Sequence, residues 1–428
     1  MYIEKARLNL ANINEKTIAF SDEVGYTEFI IVGGYDTMKH ALNATDIKRA
    51  NQRLILDAIF QSGTTSRTQL AKDLQLSKPA ISDNLQYLLD VGIVEENGVG
   101  RAGPSGGRKS ILLRFNSSNR LIIAVNLNFS TPLFALTDLN GKILRSFDIT
   151  IAPGTPIDAC RDLVLEGIRT LLQSPGAGQE IVYCIALATP GVFNEDGKLL
   201  HFSTSCGGPQ WWLMDLKQIV TEAFSLPVII YNDVKAATLG EWIRGTGNRE
   251  NNLLYLHAGL GIGSGIILNG KPLLGENFSA GELYDYFDPA DANSGRKLED
   301  TVCIDYLKKE CTQREDSPFA GKDQVPLEEI IRAYSAGNSA VASVVEDICG
   351  RLAVLSYNYM SFISINRIVF GGDYVPFGDC FANHLLNLFE RSQRPAPDIR
   401  MSDLGKFAGI QGMIFLARDR YFQEICTQ

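Results

Sequence analysis

The residues best suited to chemistry lie in and beside a glycine-rich stretch of the chain, residues 253–282. Between two short apolar runs, four glycines alternate with small or apolar residues: Gly259, Gly261, Gly263 and Gly265. Glycine at such positions lets the backbone approach a ligand closely and present N–H groups to an anion. The same spacing also suits a tightly packed hairpin without a ligand, because alternating glycines alone are a weak signal.

Polar residues on either side of this stretch favour a binding site. An apolar run that predicts a buried strand, residues 228–231, ends in Asn232 and Asp233, and Glu282 closes a Ser-Ala-Gly-Glu motif. Folds of the α/β class build their sites from polar side chains at strand ends beside such loops. An amide suits hydroxyl groups, and a carboxylate accepts strong charge-assisted hydrogen bonds. Asp233 also suits the N-cap of the helix predicted over residues 234–243.

In combination, these motifs resemble the ROK family, which includes transcriptional repressors and sugar kinases. The resemblance extends from about residue 47 to the C-terminus. It implies an α/β, actin-like or sugar-kinase-like fold with two lobes around a cleft. It also implies that Asn232, Asp233 and Glu282 bind sugar hydroxyls. In the kinases of the family, the residue that matches Asp233 is the base that takes the hydroxyl proton.

Three further positions match ligand-binding motifs of the family, with departures. Trp211 falls at the position of a sugar-flanking tryptophan, although a tryptophan there also suits the core. Asp285 stands where the family has a histidine, and Glu299 is a second carboxylate candidate. The family's three zinc-binding cysteines have no counterpart in residues 287–297. Because zinc needs about four nitrogen or sulfur ligands, we predict no metal site.

The loop after the first strand of the predicted sugar-kinase-like domain argues against phosphoryl transfer. Kinases of the family carry a D-x-G-x-T motif here, in which the Asp works with the metal-nucleotide and the Gly lets phosphate approach. This chain has Asn126 and Asn128 at those two positions. Because phosphoryl transfer depends on positioning and charge neutralisation, we predict no nucleotide cofactor and little or no kinase activity.

The first part of the chain predicts a DNA-binding domain. Helically spaced apolar residues, capping residues Ser66 and Ser77, and strands at 93–95 and 111–115 indicate a winged helix-turn-helix.

Two later hairpins with matching Asn-Gly turns suggest an internal duplication, one copy per lobe. One hypothesis for residues 1–37 is an upstream extension that is not made in the cell, and the alternative is a genuine extra segment packed on the surface. The predicted domains are an N-terminal extension, the winged helix-turn-helix and a two-lobed sugar-sensing ROK domain: residues 1–45, 46–116 and 117–428.

Charge supports DNA contact by this domain. Residues 48–120 contain eleven Lys or Arg against six Asp or Glu, whereas the whole chain has a net charge of -9. A local basic face can bind DNA in an otherwise acidic protein. A helical protein-interaction module with a solvated face is the alternative. The candidates for groove or phosphate contact lie on the predicted second and third helices and in the loop of the wing: Arg67, Lys78, Ser82, Asn84, Arg101, Arg108 and Lys109.

Length, composition and cysteine spacing limit the class of protein and the compartment that the sequence suits. A chain of 428 residues with 45% hydrophobic residues can build several buried cores. No apolar run approaches the ~20 residues that span a bilayer, and the chain does not begin with a signal peptide. The eight cysteines include no C-x-x-C pair, which favours reduced thiols in a cytoplasmic protein.

From these features we predict a sugar-responsive transcriptional regulator that represses carbohydrate-utilisation genes. Its predicted partners are operator DNA, a sugar or sugar derivative, and further copies of itself in a homo-dimer or tetramer. The first alternative is an ATP-dependent carbohydrate kinase with a fused DNA-binding domain. The second is a regulator that binds only DNA and protein, with its cleft filled by side chains.

Overall fold

The computed structural model describes residues 43–100, 110–128, 131–152, 154–202, 209–247, 249–284, 286–288 and 295–427. Within these residues the chain forms two compact units, of which the first ends at Asn116 and the second begins at Ser117. Among the helices that the structure describes, none is both long enough and apolar enough to cross a bilayer.

The first unit is a winged helix-turn-helix. Its elements are α1 (Ala44–Ser62), β1 (Thr64–Ser66), α2 (Arg67–Asp73), α3 (Lys78–Asp90), β2 (Val94–Val99) and β3 (Ile111–Phe115). The three strands form an antiparallel sheet in the order β1-β3-β2. Asn43 caps α1, because its side chain accepts hydrogen bonds from the N–H groups of Thr45 and Asp46.

Serine side chains cap the next two helices at the positions predicted from the sequence. Ser66 accepts a hydrogen bond from the Gln69 N–H, and Ser77 accepts one from the Ala80 N–H, each at 3.3 Å. The predicted winged helix-turn-helix is therefore confirmed. The apolar faces of its three helices share one core: Ile55, Leu56, Ile59, Leu70, Ile81, Leu85 and Leu88.

The second unit begins with a mixed five-stranded sheet and the helices that cover it. Its elements are β4 (Leu121–Asn126), β5 (Leu133–Asp138), β6 (Ile143–Asp148), α4 (Ile157–Leu172), β7 (Val182–Thr189), β8 (Val192–Phe193), β9 (Leu199–His201), α5 (Leu216–Phe224) and β10 (Val228–Asn232). The sheet has the order β10-β7-β4-β5-β6. Strands β10, β7 and β4 run parallel, whereas β5 and β6 are antiparallel to their neighbours. The hairpin β8-β9 stands apart from this sheet.

A second five-stranded sheet repeats this plan. Its elements are β11 (Leu253–Ala258), β12 (Ile262–Leu268), β13 (Lys271–Pro272), α7 (Glu299–Val302), α8 (Ile304–Gln313), α9 (Leu327–Ser335), α10 (Ser339–Ile363), β14 (Arg367–Gly371), α11 (Gly378–Arg391) and β15 (Asp398–Met401). The order is β15-β14-β11-β12-β13, again with three parallel strands followed by two antiparallel ones. The shared order and sense agree with the duplication that the Asn-Gly turns suggested. The predicted two-lobed α/β fold is confirmed.

Two helices connect the sheets. Helix α6 (Asp233–Arg244) packs on β12, and helix α12 (Ala408–Thr427) packs on β4 and β7. The two helices cross each other closely, because glycine replaces side chains at the crossing. A Cβ on Gly240 would lie 2.0 Å from the Ala408 carbonyl oxygen, and one on Gly412 would lie 1.8 Å from that of Ala236.

Helix packing also explains part of the alternating glycine pattern. A Cβ on Gly263 would lie 2.8 Å from a methyl carbon of Val234, and one on Gly265 would lie 1.9 Å from the Thr238 hydroxyl oxygen. These two glycines of β12 therefore allow α6 to lie directly on the strand. For them, close packing without a ligand is the interpretation that the structure favours.

Candidate functional site

One cavity of the second unit gathers most of the polar residues singled out from the sequence. It lies where β10 passes into α6, beside the loop that follows β12 and β13. We call it the polar cavity and define it by six of its lining residues: Asn232, Asp233, His257, Ser264, Glu282 and Glu299.

Asn232 ends β10 and is the N-cap of α6. Its Oδ1 accepts a hydrogen bond from the Lys235 N–H at 2.8 Å, and its Nδ2 donates to the Gly191 carbonyl at 2.9 Å. The capping role that the sequence also allowed for Asp233 therefore belongs to Asn232, and Asp233 is the first residue of the helix. This cap fixes the orientation of the amide at the cavity wall.

Asp233 is a perturbed carboxylate. Burial, with a smaller contribution from the charge of Glu282, raises its pKa to about 6, although a hydrogen bond from the Val234 N–H and the charge of Lys235 act in the opposite direction. The Val234 bond, to Oδ1, is 2.9 Å long. Asp233 is therefore mostly ionised at neutral pH but takes up a proton in mildly acidic solution.

Glu282 is held by a partner that sequence reasoning missed. The Lys235 Nζ donates to the Glu282 Oε1 at 2.5 Å, and the two side chains are only 7% and 19% exposed. Lys235 lies in the first turn of α6. A lysine in the first turn of a helix is normally exposed to solvent, so the local sequence pattern did not predict this ion pair.

The loop that carries Glu282 is tied to β12. Both the N–H and the hydroxyl of Ser264 donate to the Gly281 carbonyl, at 3.0 and 2.8 Å. Gly281 has a φ of +83°, and a Cβ there would lie 2.5 Å from the Ser264 carbonyl oxygen. The Ala-Gly-Glu motif therefore needs its glycine for both conformation and space.

Glu299 and His257 complete the polar wall. Glu299 is 3% exposed and accepts a hydrogen bond from the Ile262 N–H at 3.2 Å, so it anchors the turn before β12. His257 is the penultimate residue of β11; burial lowers its pKa, and the nearby Asp373 acts in the opposite direction. A neutral imidazole can both donate and accept a hydrogen bond. No motif in the sequence pointed to His257.

Of the two other predicted ligand residues, one lies in the core and one lies outside the described residues. Trp211 is 2% exposed and packs in the core beside the first sheet, as its alternative interpretation allowed. Its neighbour Trp212 lines the cavity instead. The two tryptophans begin a short 3-10 helix, so a rotation of one residue decides which ring faces the cavity. Asp285 lies outside the described residues.

The loop after β4 holds neutral groups at the two positions that differ from the kinase motif. The Asn126 amide lies beside Gly409 of α12, where a Cβ would come within 3.0 Å of the Asn126 Nδ2. Asn128 folds back on its own loop, because its Oδ1 accepts a hydrogen bond from the Thr131 N–H at 3.1 Å. Neither side chain supplies the negative charge that the kinase Asp provides.

A buried ion pair lies at one end of the segment without zinc-binding cysteines. Asp288 is 1% exposed and is bound by Arg351 of α10, which also binds Asp347 at 3.0 Å. The Thr301 hydroxyl donates to the Asp288 Oδ2 at 3.1 Å. Among the residues that the structure describes, no cluster of three or more His, Cys, Asp or Glu could hold a metal ion.

In the first unit, α3 presents a polar stripe. Lys78 and Ser82 are exposed, and Gln86 continues the stripe one turn further on. Asn84 does not share this face: it is 6% exposed, and its Nδ2 donates to the Ala80 carbonyl at 2.8 Å. Groove contact by Asn84 therefore conflicts with its position on the buried face.

The remaining predicted DNA contacts divide into two groups. Arg67 lies at the start of α2 and pairs with Glu96 of β2 at 3.3 Å, so part of its charge is already neutralised. Arg101, Arg108 and Lys109 lie outside the described residues. Gln86 lies four residues after Ser82, so this spacing could have identified Gln86 from the sequence as part of the exposed polar stripe of α3.

Together the two units define a class of protein, a DNA-binding transcriptional regulator in which a winged helix-turn-helix precedes a sugar-kinase-like domain. Residues 123–420 match the ROK family, and residues 50–96 match the bacterial regulatory proteins of the arsR family. Because the first match covers more than half of the chain, the chain belongs to the ROK family.

Relatives of known name agree with this class. The chain is 28% identical to the xylose repressor of Bacillus spizizenii over 56% of this chain and 60% of that protein. It is 27% identical to the xylose repressor of Staphylococcus xylosus over 73% and 79% of the two chains. The crystal structure of a ROK family transcriptional regulator, a homologue of the E. coli MLC protein, covers 89% of this chain and 98% of its own with a TM-score of 0.69 at 23% identity. At that identity the likeness shows the fold.

Proposed function

We propose that this chain is a sugar-responsive repressor without kinase activity. The observation that carries the proposal is a contrast between two sites. Asp233, Glu282 and Glu299 line the polar cavity, whereas Asn126 and Asn128 leave the loop after β4 without a carboxylate at the kinase positions. The relatives named xylose repressor support both a sugar ligand and repression.

The polar cavity suits a ligand rich in hydroxyl groups. Asp233 uses one carboxylate oxygen for the Val234 N–H, and Glu282 uses one for Lys235, so each has a second oxygen that can accept from a hydroxyl. Such bonds to ionised acceptors are shorter and stronger than neutral ones. The existence of this cavity also favours a sensor over a regulator whose cleft is filled by side chains.

The loop after β4 disfavours the kinase alternative. Asp233 stands where the base would be needed, but a base alone does not transfer phosphate. Phosphoryl transfer also requires a metal-nucleotide held in position and its charge neutralised. Asn126 packs beside Gly409 and carries no charge with which to help hold the metal. We therefore infer sugar binding without phosphorylation.

Repression by an oligomer follows from the DNA-binding fold. A helix-turn-helix regulator commonly binds two half-sites through two copies of its recognition helix, so a homo-dimer or tetramer suits this chain. A sugar can relieve repression only if it binds the two states of the protein with different affinities. Sugar binding and operator binding must then influence each other.

The test is a panel of pentoses and hexoses applied to the full chain. We expect at least one sugar to raise the thermal unfolding temperature and to weaken operator binding, and Asp233→Asn to lose both effects. Asp158→Asn is the matched control, because Asp158 also lies in the first turn of a helix but on the surface of α4. If no sugar changes either measurement, the proposal is wrong.

Kinase activity is tested separately with Mg-ATP and the sugars that bind. We expect no sugar phosphate from the wild-type chain. Sugar-dependent ATP consumption that disappears in Asp233→Asn would instead support the kinase alternative. Calorimetry with Mg-ATP alone adds a second readout, since the proposal expects no nucleotide binding.

A further inference from the structure

We propose that Cys349 and Cys380 form a peroxide-sensitive thiol pair in the second unit, which a hydroperoxide oxidises to a reversible intrachain disulfide. Both cysteines are free thiols in the core around the second sheet, and neither lines the polar cavity. Because neither takes part in the proposed sugar binding, the two proposals can be tested separately.

Three neighbouring helices bring the reactive groups together. Helix α9 supplies Tyr334, α10 supplies Cys349, and α11 supplies Cys380. The Cys349 thiol and the Tyr334 hydroxyl each donate a hydrogen bond to the Cys380 sulfur. The Tyr334 ring also packs edge to face against Phe377, the residue before α11, with ring centroids 5.1 Å apart. The two sulfur atoms are therefore already in contact in the folded chain.

The hydrogen bonds favour a thiolate at Cys380. The bond from Cys349, with a smaller contribution from Tyr334, lowers the pKa of Cys380, although burial and the charge of Glu346 act in the opposite direction. Cys380 is also the third residue of the 14-residue helix α11, where the positive end of a helix favours an anion. The same hydrogen bond, together with burial, raises the pKa of Cys349, so this thiol keeps its proton. Cys380 is thus suited to be the nucleophile and Cys349 to be its partner.

Thiolate character sets Cys380 apart from other cysteines of the chain. Among the described cysteines outside the pair, burial raises the pKa of four: Cys160, Cys184, Cys303 and Cys311. Cys303 is nevertheless more exposed than Cys380, of which 8% is exposed. Exposure alone would therefore make Cys303 react first, whereas thiolate character favours Cys380.

The oxidation consists of two balanced steps. The Cys380 thiolate attacks one oxygen of hydrogen peroxide, the O–O bond breaks, and Cys380 becomes a sulfenic acid while the departing hydroxide takes up a proton to form water. The Cys349 sulfur then attacks the Cys380 sulfur. An S–S bond forms, the S–O bond breaks, and the departing hydroxide takes the Cys349 proton. In total, two thiols and one peroxide give one disulfide and two waters.

Peroxide treatment of the full chain tests the inference, with Cys206 replaced by Ser because it lies outside the described residues. We expect hydrogen peroxide to link Cys349 to Cys380 roughly tenfold faster than it modifies Cys303. Mass spectrometry of the digested chain identifies the linked peptides, and dithiothreitol should restore both thiols. Tyr334→Phe, which keeps the ring but loses the hydroxyl donor, should slow the reaction several-fold.

Cys349→Ser separates the roles of the two thiols. Serine keeps a hydroxyl donor to Cys380 but forms no disulfide, so Cys380 should accumulate as a sulfenic acid, which dimedone traps, and then proceed to sulfinic acid. Thermal unfolding of the reduced samples checks that each variant remains folded.

Cys311→Ser is the matched control, because Cys311 is buried in the same core but is not a member of the pair. Its disulfide should form at the wild-type rate. If Cys303 is oxidised first, or if no disulfide joins Cys349 to Cys380, the inference is wrong, whatever the sugar experiments show.

Discussion

At the scale of single residues, the pair of Lys235 and Glu282 decides how the polar cavity works. A nearly buried carboxylate is stable only when another group compensates its charge, and the ammonium 2.5 Å away does so. The same contact fixes Glu282 in one orientation before any ligand arrives. Lys235 is thus a positioning residue for the proposed sugar contact, although it does not line the cavity itself.

Removing this positive charge should weaken both stability and binding. We expect Lys235→Met to lower the free energy of unfolding by about 2–3 kcal/mol, because Glu282 remains largely buried without its partner. Sugar affinity should fall together with stability. Chemical denaturation and calorimetry measure the two effects.

The double variant Lys235→Met with Glu282→Gln separates the two roles. It should recover most of the stability, since no buried charge is left unpaired, but it should not recover sugar binding. Recovery of both would show that Glu282 is only a structural group.

The pKa of Asp233 gives a pH dependence with a defined sign. The folded pKa of about 6 lies above the ordinary value of 3.8. Between these values the folded chain holds a proton that the unfolded chain has released, so this residue makes stability fall as pH rises. Relative to wild type, Asp233→Asn should gain on the order of 2–3 kcal/mol between about pH 4 and pH 7.

Protonation of Asp233 should change sugar affinity in the opposite direction: it stabilises the fold but weakens sugar binding. Only the ionised carboxylate is a strong acceptor for a sugar hydroxyl, so wild-type affinity should fall as pH drops below about 6. Calorimetric titrations at pH 5 and pH 7.5 measure this change. An affinity that is equal at both values would argue against a direct contact by Asp233.

The strand end pointed to Asn232 and Asp233, the Ser-Ala-Gly-Glu motif to Glu282 and the family resemblance to Glu299, and all four line one cavity. Single-residue orientation was harder to predict. Trp211 and Trp212 differ only by a step along a 3-10 turn, and one of them is in the core. Lys235 could not be found, because its partner Glu282 is distant in sequence.

At the scale of elements, the crossing of α6 and α12 depends on backbone contact. Gly240 and Gly412 place each helix against the main chain of the other. The sequence pattern did not predict this crossing, since a glycine within a helix does not reveal what packs on it. By contrast, the buried position of Asn84 on α3 could have been predicted from the sequence, because Asn84 lies one turn before Leu88 on the apolar stripe.

Adding one methyl group at this crossing should be costly. In Gly412→Ala the new Cβ meets a carbonyl oxygen at 1.8 Å, and backbone cannot move aside as a flexible side chain can. We expect a loss of at least about 2 kcal/mol in the free energy of unfolding. Urea denaturation is the measurement.

Gly350→Ala is the matched control for this substitution. Gly350 also lies within a long helix, α10, but a Cβ there would approach nothing closer than 3.8 Å. Because alanine favours the helix over glycine, this variant should be neutral or gain up to about 1 kcal/mol. Equal losses in both variants would mean that the close crossing does not set the effect.

At the scale of the whole molecule, sugar and DNA must be coupled in both directions. If a sugar lowers operator affinity by some factor, operator DNA must lower sugar affinity by the same factor. Calorimetry with and without operator DNA checks this equality. If operator DNA leaves sugar affinity unchanged, the same linkage means that the sugar cannot weaken operator binding, and the proposed response to sugar is wrong.

Variants in one unit should leave the intrinsic affinity of the other unchanged. Lys78 is exposed on α3, so Lys78→Ala should reduce operator affinity and its salt dependence. Sugar affinity without DNA should stay within about twofold, because nothing in the polar cavity changes. Asp83→Ala removes a negative charge at another exposed position of α3 and serves as a control of opposite charge.

The pair of Asp288 and Arg351 has a consequence for the conditions in which this regulator can operate. Asp288 lies at one end of the segment in which the family's zinc-binding cysteines have no counterpart, and Arg351 holds it through an ion pair between a guanidinium and a carboxylate. A chelator such as EDTA should therefore leave its unfolding temperature unchanged.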